Sequence, residues 1–289
     1  MGTSQIERVG VVGCGLMGSG ITEVIARSGL EVRVCEANEE ALGRGRERVE
    51  RSIRRAEASG KIEPLEAKRA MGRIEFTPDV EALADRQLVV EAVVEDEEVK
   101  TAVLRRLDQV VEDPTAIFTT NTSSIPIMKL AMATRRPEQV IGLHFFNPVP
   151  VLSLVEIITS LLTSTDTSER ATTFASDQLG KTVVTSPDRA GFVVNALLIP
   201  YLLSAVRMLE SGFASAEHID TAMVEGCAHP MGPLRLADLI GLDTTQAIAH
   251  SLYEEFKEPL YSPPPLLSRM VEGGLLGRKS GQGFYAYDR

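Results

Sequence analysis

The stretch Val9-Gly10-Val11-Val12-Gly13-Cys14-Gly15-Leu16-Met17-Gly18 decides the fold of this 289-residue chain. A short β-branched run is followed at once by the glycine pattern G-x-G-x-x-G, and residues 19–28 then show helical spacing. In a strand, turn and helix of this kind, the glycines allow a tight turn and let the backbone approach a pyrophosphate at the helix N-terminus. The pattern therefore predicts a dinucleotide site formed by Gly13, Gly15, Leu16, Met17 and Gly18.

An acidic residue indicates which dinucleotide this site takes. Glu36 follows a second predicted strand, Glu31 to Cys35, and lies 23 residues after Gly13. An acid about 20 residues after the first glycine is placed to accept the ribose hydroxyls of an adenosine. Because a carboxylate repels a 2′-phosphate, the sequence predicts NAD rather than NADP as the cofactor.

The predicted secondary structure of the rest of the chain changes twice. Residues 39–71 show helical spacing, are dense in charge and are interrupted by Ser59-Gly60 and Glu63-Pro64, which predicts a helical arm protruding from the sheet. Further strands are predicted at 88–94, 115–120, 140–145, 151–158 and 182–185, with helices between them. After residue 188 the β signals almost vanish, and helical spacing covers 192–211, 215–226, 234–257 and 265–274.

These segments predict an α/β fold with a doubly wound, Rossmann-type, mostly parallel sheet, followed by an all-α domain. We place the NAD-binding domain at residues 1–187, with the arm at about 39–71, and the helical domain at residues 188–289.

Composition excludes several classes of protein. A net charge of −10, from 40 Asp and Glu against 30 Lys and Arg, makes nucleic acid and anionic membranes unfavourable partners. The three cysteines lie far apart in the sequence, so neither a disulfide framework nor a metal site is expected. The most apolar stretch, 192–206, is shorter than the roughly 20 residues of a membrane span. With too few residues before Ile6 for a signal or transit peptide, we expect a cytoplasmic protein.

A histidine and a glutamate form the second candidate constellation. His144 lies at the end of a predicted strand, and ligands of doubly wound folds bind beside the carboxyl ends of the strands. If the chain reverses around Pro150, His144 and Glu156 face each other, six residues on either side. A carboxylate beside an imidazole fixes its tautomer and stabilises the imidazolium, as general base catalysis requires. The alternative is a structural histidine.

Three further segments have two interpretations each. Asn121-Thr122-Ser123-Ser124 follows a strand, so its hydroxyl groups either cap a short helix or reach the nicotinamide and substrate. Asn195 places a polar amide within the apolar stretch 192–206. This amide either forms a hydrogen bond between two helices or contacts substrate. Residues 44–61 carry a local charge of +4, with Arg55 on a basic helical face. That face is either simply solvated or holds a phosphate-bearing substrate.

The chain resembles the L-3-hydroxyacyl-CoA dehydrogenase family from residue 6 to residue 287. It is similar in particular to the short bacterial 3-hydroxybutyryl-CoA dehydrogenases, which are not fused to a hydratase. The motifs that carry the resemblance are Gly13-x-Gly15-x-Met17-Gly18, Val90-Glu91-Ala92-x-x-Glu95, Asn121-Thr122-Ser123-Ser124, His144-Phe145-Phe146-Asn147-Pro148, Gly191-Phe192-Val193-Val194-Asn195, Pro230-Met231-Gly232-Pro233, Gly241-Leu242-Asp243 and Lys279-Ser280-Gly281-x-Gly283-Phe284-Tyr285.

The resemblance implies a role for each matching residue. His144 matches the catalytic base and Glu156 its carboxylate partner, and Ser123 and Asn195 match side chains that hold the substrate oxygen. Cofactor contacts are implied at Glu36, Glu95, Lys100, Asn121, Ser123 and Asn147. In the arm, Ser52 matches a CoA contact, and Lys61 lies two residues from the place of a second one. The family also implies a homodimer formed through the helical domain.

The predicted activity is hydride transfer between NAD(H) and the 3-hydroxyl or 3-oxo carbon of a short-chain acyl-CoA, such as 3-hydroxybutyryl-CoA or acetoacetyl-CoA. A 3-hydroxyadipyl-CoA or longer-chain 3-hydroxyacyl-CoA is an alternative substrate. A dehydrogenase of free hydroxyacids would usually employ a lysine in place of His144. From another class, the alternative is a catalytically silent NAD-binding structural or sensor protein.

Overall fold

The computed structural model describes residues 5–288. Their internal contacts divide the chain into two compact units, one ending at Arg189 and the other beginning at Ala190. We call them the sheet domain and the helical domain; the predicted boundary lay at residue 187. No helix within residues 5–288 is both long enough and apolar enough to cross a membrane.

The sheet domain is built on one eight-stranded sheet in the order β3-β2-β1-β4-β5-β6-β7-β8. Its strands are β1 Arg8–Val12, β2 Glu31–Cys35, β3 Ile74–Thr77, β4 Leu88–Glu91, β5 Ile117–Thr120, β6 Val140–Phe145, β7 Leu154–Thr159 and β8 Thr182–Pro187. Strands β1 to β6 are parallel, whereas β7 is antiparallel to β6. The strand order reverses between β1 and β4, which is where doubly wound sheets bind ligands. The predicted fold class is confirmed.

Helices cover both faces of the sheet, and its central strands are therefore buried on both sides. Every residue of β4, β5 and β6 is buried, as parallel sheets require. The helices of this domain are α1 Leu16–Arg27, α2 Glu39–Ala58, α3 Pro64–Gly72, α4 Glu97–Val110, α5 Ile127–Ala131 and α6 Thr165–Thr173.

The predicted arm consists of α2 and α3. One stripe of α2, formed by Leu42, Val49 and Ile53, is buried, and Val49 and Ile53 belong to the same apolar core as Ile21 and Ile25 of α1. The remaining face of α2 is charged and exposed. This arm is therefore anchored along α1 while it presents its basic residues to solvent.

The structure corrects the limits of several predicted elements. The predicted strand 88–94 ends at Glu91, whose side chain accepts a hydrogen bond from the Val93 amide where the chain turns away. The predicted strand 151–158 begins only at Leu154, because the amides of Val151 and Leu152 bond to the Pro148 carbonyl in a turn. The predicted helix 234–257 is two helices, since Gly241 has a φ of 103°.

The helical domain packs five helices around its own core. These are α7 Val194–Glu210, α8 Ala216–Cys227, α9 Pro233–Ile240, α10 Leu242–Phe256 and α11 Pro265–Glu272. Two buried aspartates, Asp220 and Asp238, attach the C-terminal segment by accepting hydrogen bonds from the hydroxyls of Tyr285 and Tyr287. The Lys279-to-Tyr285 motif is therefore folded onto α8 and α9.

Candidate active site

The glycine turn lies at the carboxyl end of β1 and fits a dinucleotide. A Cβ on Gly18 would meet the Gly13 carbonyl oxygen at 1.9 Å, so only glycine lets α1 come this close to β1. Nothing lies within 4 Å of a Cβ built on Gly15, which leaves room for a ligand. Helix α1 begins at Leu16 with no side-chain cap and no acid in its first turn. Its N-terminal amides are thus suited to a pyrophosphate.

Glu36 lies beside this turn. One carboxylate oxygen accepts a hydrogen bond from the Cys14 amide at 2.6 Å, and the other accepts one from the Ala37 amide at 3.2 Å. Burial, together with the Glu36 charge, raises the pKa of the Cys14 thiol to about 12, so this thiol stays protonated. The basic residue of β2, Arg33, pairs with Glu75 at 2.6 Å, so it does not neutralise Glu36.

His144 and Glu156 face each other on adjacent strands. They are partners in the antiparallel β6–β7 register, as the predicted reversal requires. His144 Nδ1 lies 2.8 Å from a Glu156 carboxylate oxygen, and the relative exposures of the two residues are 6% and 0%. The Phe146 ring packs edge-on to the imidazole at 4.6 Å. This geometry can hold one histidine tautomer and stabilise the imidazolium.

A buried ion pair supports the neighbouring strands. The Lys100 ammonium lies 2.8 and 3.0 Å from the two carboxylate oxygens of Glu91, and both side chains are almost fully buried. Glu91 also accepts a hydrogen bond from the Thr120 hydroxyl at 2.6 Å. Glu91 is not among the predicted site residues, although an acid at the end of an apolar strand, nine residues before a lysine, is a usable signal.

Glu95 fixes the loop that carries Ser123. A single carboxylate oxygen accepts hydrogen bonds from the Thr122 hydroxyl at 2.6 Å, the Ser123 amide at 2.9 Å and the Ser124 amide at 3.1 Å. The other oxygen is 3.3 Å from the Lys100 ammonium. Burial alone raises the pKa of Glu95, but Lys100 and these donors hold it below its ordinary value. The carboxylate is therefore ionised at neutral pH.

Asn121 connects this loop to the strand of His144, because its side-chain oxygen accepts a hydrogen bond from the Phe145 amide at 2.8 Å. Glu95, Lys100, Asn121 and Ser123 thus come together with the strand of His144 at the carboxyl edge of β4, β5 and β6.

Other predicted residues lie outside this hydrogen-bonded cluster. Leu16 is 66% exposed at the glycine turn, where Met17 is half-buried, and Asn147 is exposed after β6. In the arm, Ser52 is half-buried, while Arg55 and Lys61 are exposed. Asn195 is buried in α7 of the helical domain. Their predicted contacts with cofactor or substrate stay predictions.

The edge of this sheet suits a dinucleotide and also carries a hydrogen-bonded histidine and carboxylate. This combination is typical of the dinucleotide-dependent dehydrogenases. Comparison with models of protein families supports the same class. The model for the NAD binding domain of 3-hydroxyacyl-CoA dehydrogenase matches residues 8–189, and that for the C-terminal domain of the same enzyme matches residues 191–287. The chain belongs to the 3-hydroxyacyl-CoA dehydrogenase family, and NAD is its cofactor.

Individual relatives match over almost the whole chain. A 3-hydroxybutyryl-CoA dehydrogenase of Mycobacterium tuberculosis is 60% identical over 99% of this chain and 100% of its own length. The crystal structure of M. tuberculosis FadB2 superposes with a TM-score of 0.98 at 59% identity, covering 99% of this chain and 100% of that one. The (S)-3-hydroxybutyryl-CoA dehydrogenase PaaH1 of Ralstonia eutropha gives 0.93 at 42% identity, with the same coverage.

Proposed function

We propose that this protein interconverts 3-hydroxybutyryl-CoA and acetoacetyl-CoA with His144 and Glu156 as its general acid-base pair. The observation that carries the proposal is the 2.8 Å contact between His144 Nδ1 and the buried Glu156 carboxylate. The substrate is supported by the printed names of the M. tuberculosis and R. eutropha relatives.

In the oxidative direction, His144 Nε2 takes the proton of the 3-hydroxyl group. Bound NAD⁺ supplies the acceptor for the hydride from C3. The resulting imidazolium is stabilised by the Glu156 carboxylate 2.8 Å from Nδ1, and the proton leaves to solvent when the product departs. Ser123 orients the substrate oxygen, and Glu95 keeps Ser123 in position. We assign Lys100 to positioning as well, because its buried ammonium contacts Glu91 and Glu95.

The CoA moiety is assigned to the arm. CoA is an anion and the chain carries a net charge of −10, so a local source of positive charge is needed. The arm provides it through exposed arginines, and Ser52, Arg55 and Lys61 are the proposed contacts. We also propose a homodimer through the helical domain, supported by large apolar side chains there that are exposed, such as Leu197 at 73% and Phe213 at 80%.

The direct test of this function is the oxidation of NADH by purified protein with acetoacetyl-CoA, followed by absorbance. We expect turnover with acetoacetyl-CoA and none with free acetoacetate. A panel of acyl-CoA substrates, including 3-oxoadipyl-CoA and longer chains, tests the substrate. A protein that binds NADH but turns over no member of this panel would be the silent NAD-binding alternative.

Cofactor choice depends on the charge of Glu36. We expect Glu36→Gln to narrow the preference for NADH over NADPH by about tenfold, equivalent to about 1.4 kcal/mol. The amide retains an acceptor for the Cys14 N–H but no longer repels a 2′-phosphate. The measurement is kcat/KM with each cofactor. Glu31→Gln, an exposed position on the same strand, is the matched control and should leave the preference unchanged. A wild-type enzyme that prefers NADPH would refute this role of Glu36.

A further inference from the structure

The sheet domain has a cavity of about 570 Å³ beside the arm, and of the proposed CoA contacts only Lys61 lines it. It lies between the C-terminal end of α1, the α2–α3 turn with α3, the loop 150–153 and residues 179–181. The basic side chains that line it are Arg27, Lys61, Arg69, Arg73 and Lys181. Among the described lining residues, Glu66 is the only acid. Arg27 is paired with the buried Glu23 at 3.0 Å, so the positive excess comes from Lys61, Arg69, Arg73 and Lys181.

Two of these cations are fixed in place without being neutralised. The Lys181 ammonium donates hydrogen bonds to the carbonyls of Val149 and Leu152, each at 2.7 Å. Arg73 donates to the Ala26 carbonyl at 3.2 Å. A neutral carbonyl satisfies a donor but does not cancel its charge. Burial and the nearby Arg27 charge lower the pKa of Lys181. The cations therefore repel one another, and an anion between them would remove that repulsion.

Two other cations are available to a ligand. The side chains of Lys61 and Arg69 are exposed and form no hydrogen bond or ion pair with any of residues 5–288. We propose that this cavity binds a phosphate-bearing anion. Lys181 and Arg73 contact the anion from fixed positions, and the exposed side chains of Lys61 and Arg69 complete the site. A volume of 570 Å³ lies within the usual range for small-molecule sites and exceeds what a single phosphate fills, so the ligand is a diphosphate or a nucleoside phosphate.

This site is distinct from the cofactor pyrophosphate site at the other end of the same helix. Arg27 lies twelve residues beyond Gly15, which corresponds to about 18 Å along α1 at 1.5 Å per residue. The proposed anion site is also connected to the reaction. Lys181 bonds to carbonyls of the loop that joins β6 to β7, and these two strands carry His144 and Glu156.

The experiment titrates the full-length protein with inorganic pyrophosphate by calorimetry, at constant ionic strength and with saturating NADH to occupy the glycine turn. We expect wild type to bind pyrophosphate and Arg69→Gln to bind it several-fold more weakly. Lys68→Gln is the matched control, since Lys68 is the exposed neighbour on α3 that does not line the cavity. Absence of pyrophosphate binding, or equal affinities in Arg69→Gln and Lys68→Gln, would overturn the proposal.

A second measurement identifies the source of the phosphates. If acyl-CoA supplies them, CoA competes with pyrophosphate, and Arg69→Gln raises KM for acetoacetyl-CoA but not for a truncated thioester without the nucleotide. If a free anion occupies the cavity, CoA leaves pyrophosphate affinity unchanged, and KM is the same in wild type and variant. Either result supports a phosphate site, and the calorimetric result does not depend on whether the proposed reaction occurs.

Discussion

His144→Ala should lower kcat for acetoacetyl-CoA reduction by roughly 10²–10⁴, the usual loss when a general acid-base group is removed. NADH affinity should stay near that of wild type, because His144 lies on β6 while the glycine turn follows β1. The measurement is steady-state kinetics together with the dissociation constant of NADH from fluorescence. Circular dichroism verifies that the variant is folded.

Two companion variants make this test specific. Glu156→Gln keeps an acceptor beside Nδ1 but removes the counter-charge of the imidazolium, so kcat should also fall. His218→Ala removes an exposed histidine of α8 and should leave kcat unchanged. If the double variant His144→Ala with Glu156→Gln loses no more activity than His144→Ala alone, the two side chains act as one unit. Near wild-type turnover in a folded His144→Ala would contradict the assignment.

The elements that sequence predicted well are those whose signals are local. The strand, the glycine turn and the start of the helix are encoded in the ten consecutive residues 9–18, and Glu36 follows at a fixed spacing. The β6–β7 pairing was also predictable, because a reversal at one proline sets the register of both strands. His144 and Glu156 could thus be paired without any structure, and the register is confirmed.

What the sequence did not reveal depends on contacts between distant segments. Strand β3, Ile74–Thr77, was not predicted because it is a four-residue edge strand that follows a charged helix. The helix break at Gly241 was missed because an isolated glycine is tolerated in a helix at a cost of about 1 kcal/mol. The buried contacts of Glu91 were not predicted, because the Lys100 and Thr120 side chains that reach it lie 9 and 29 residues away in the sequence.

The Glu91–Lys100 pair is where we expect the largest change in stability. Lys100→Met should lower the free energy of unfolding by about 3–5 kcal/mol, because removing one member of a buried ion pair leaves the other charge uncompensated. Glu91 would then be a buried carboxylate close to a second one, Glu95, with no cation between them. Urea unfolding of the full chain, followed by far-UV circular dichroism, measures the loss.

A lysine at the surface provides the matched control. Lys129 also pairs with a glutamate, Glu97, at 3.0 Å, but both side chains are at least half exposed. Exposed pairs contribute about 0–1 kcal/mol, so Lys129→Met should change stability little. Equal losses in Lys100→Met and Lys129→Met would mean that burial of the Glu91 pair has no energetic consequence.

The same variants separate a positioning role from a purely structural one. Adding Glu91→Gln to Lys100→Met removes the uncompensated charge, so the double variant should regain about 1–3 kcal/mol relative to the sum of the single losses.

Glu95 would still lack its cation in that double variant. Hydrogen exchange at the Ser123 and Ser124 amides, which Glu95 holds, should therefore stay faster than in wild type even where stability has recovered. Activity should follow the amide exchange rather than the stability, because Ser123 is the proposed substrate contact. Recovery of wild-type exchange together with stability would show that Lys100 acts only on folding.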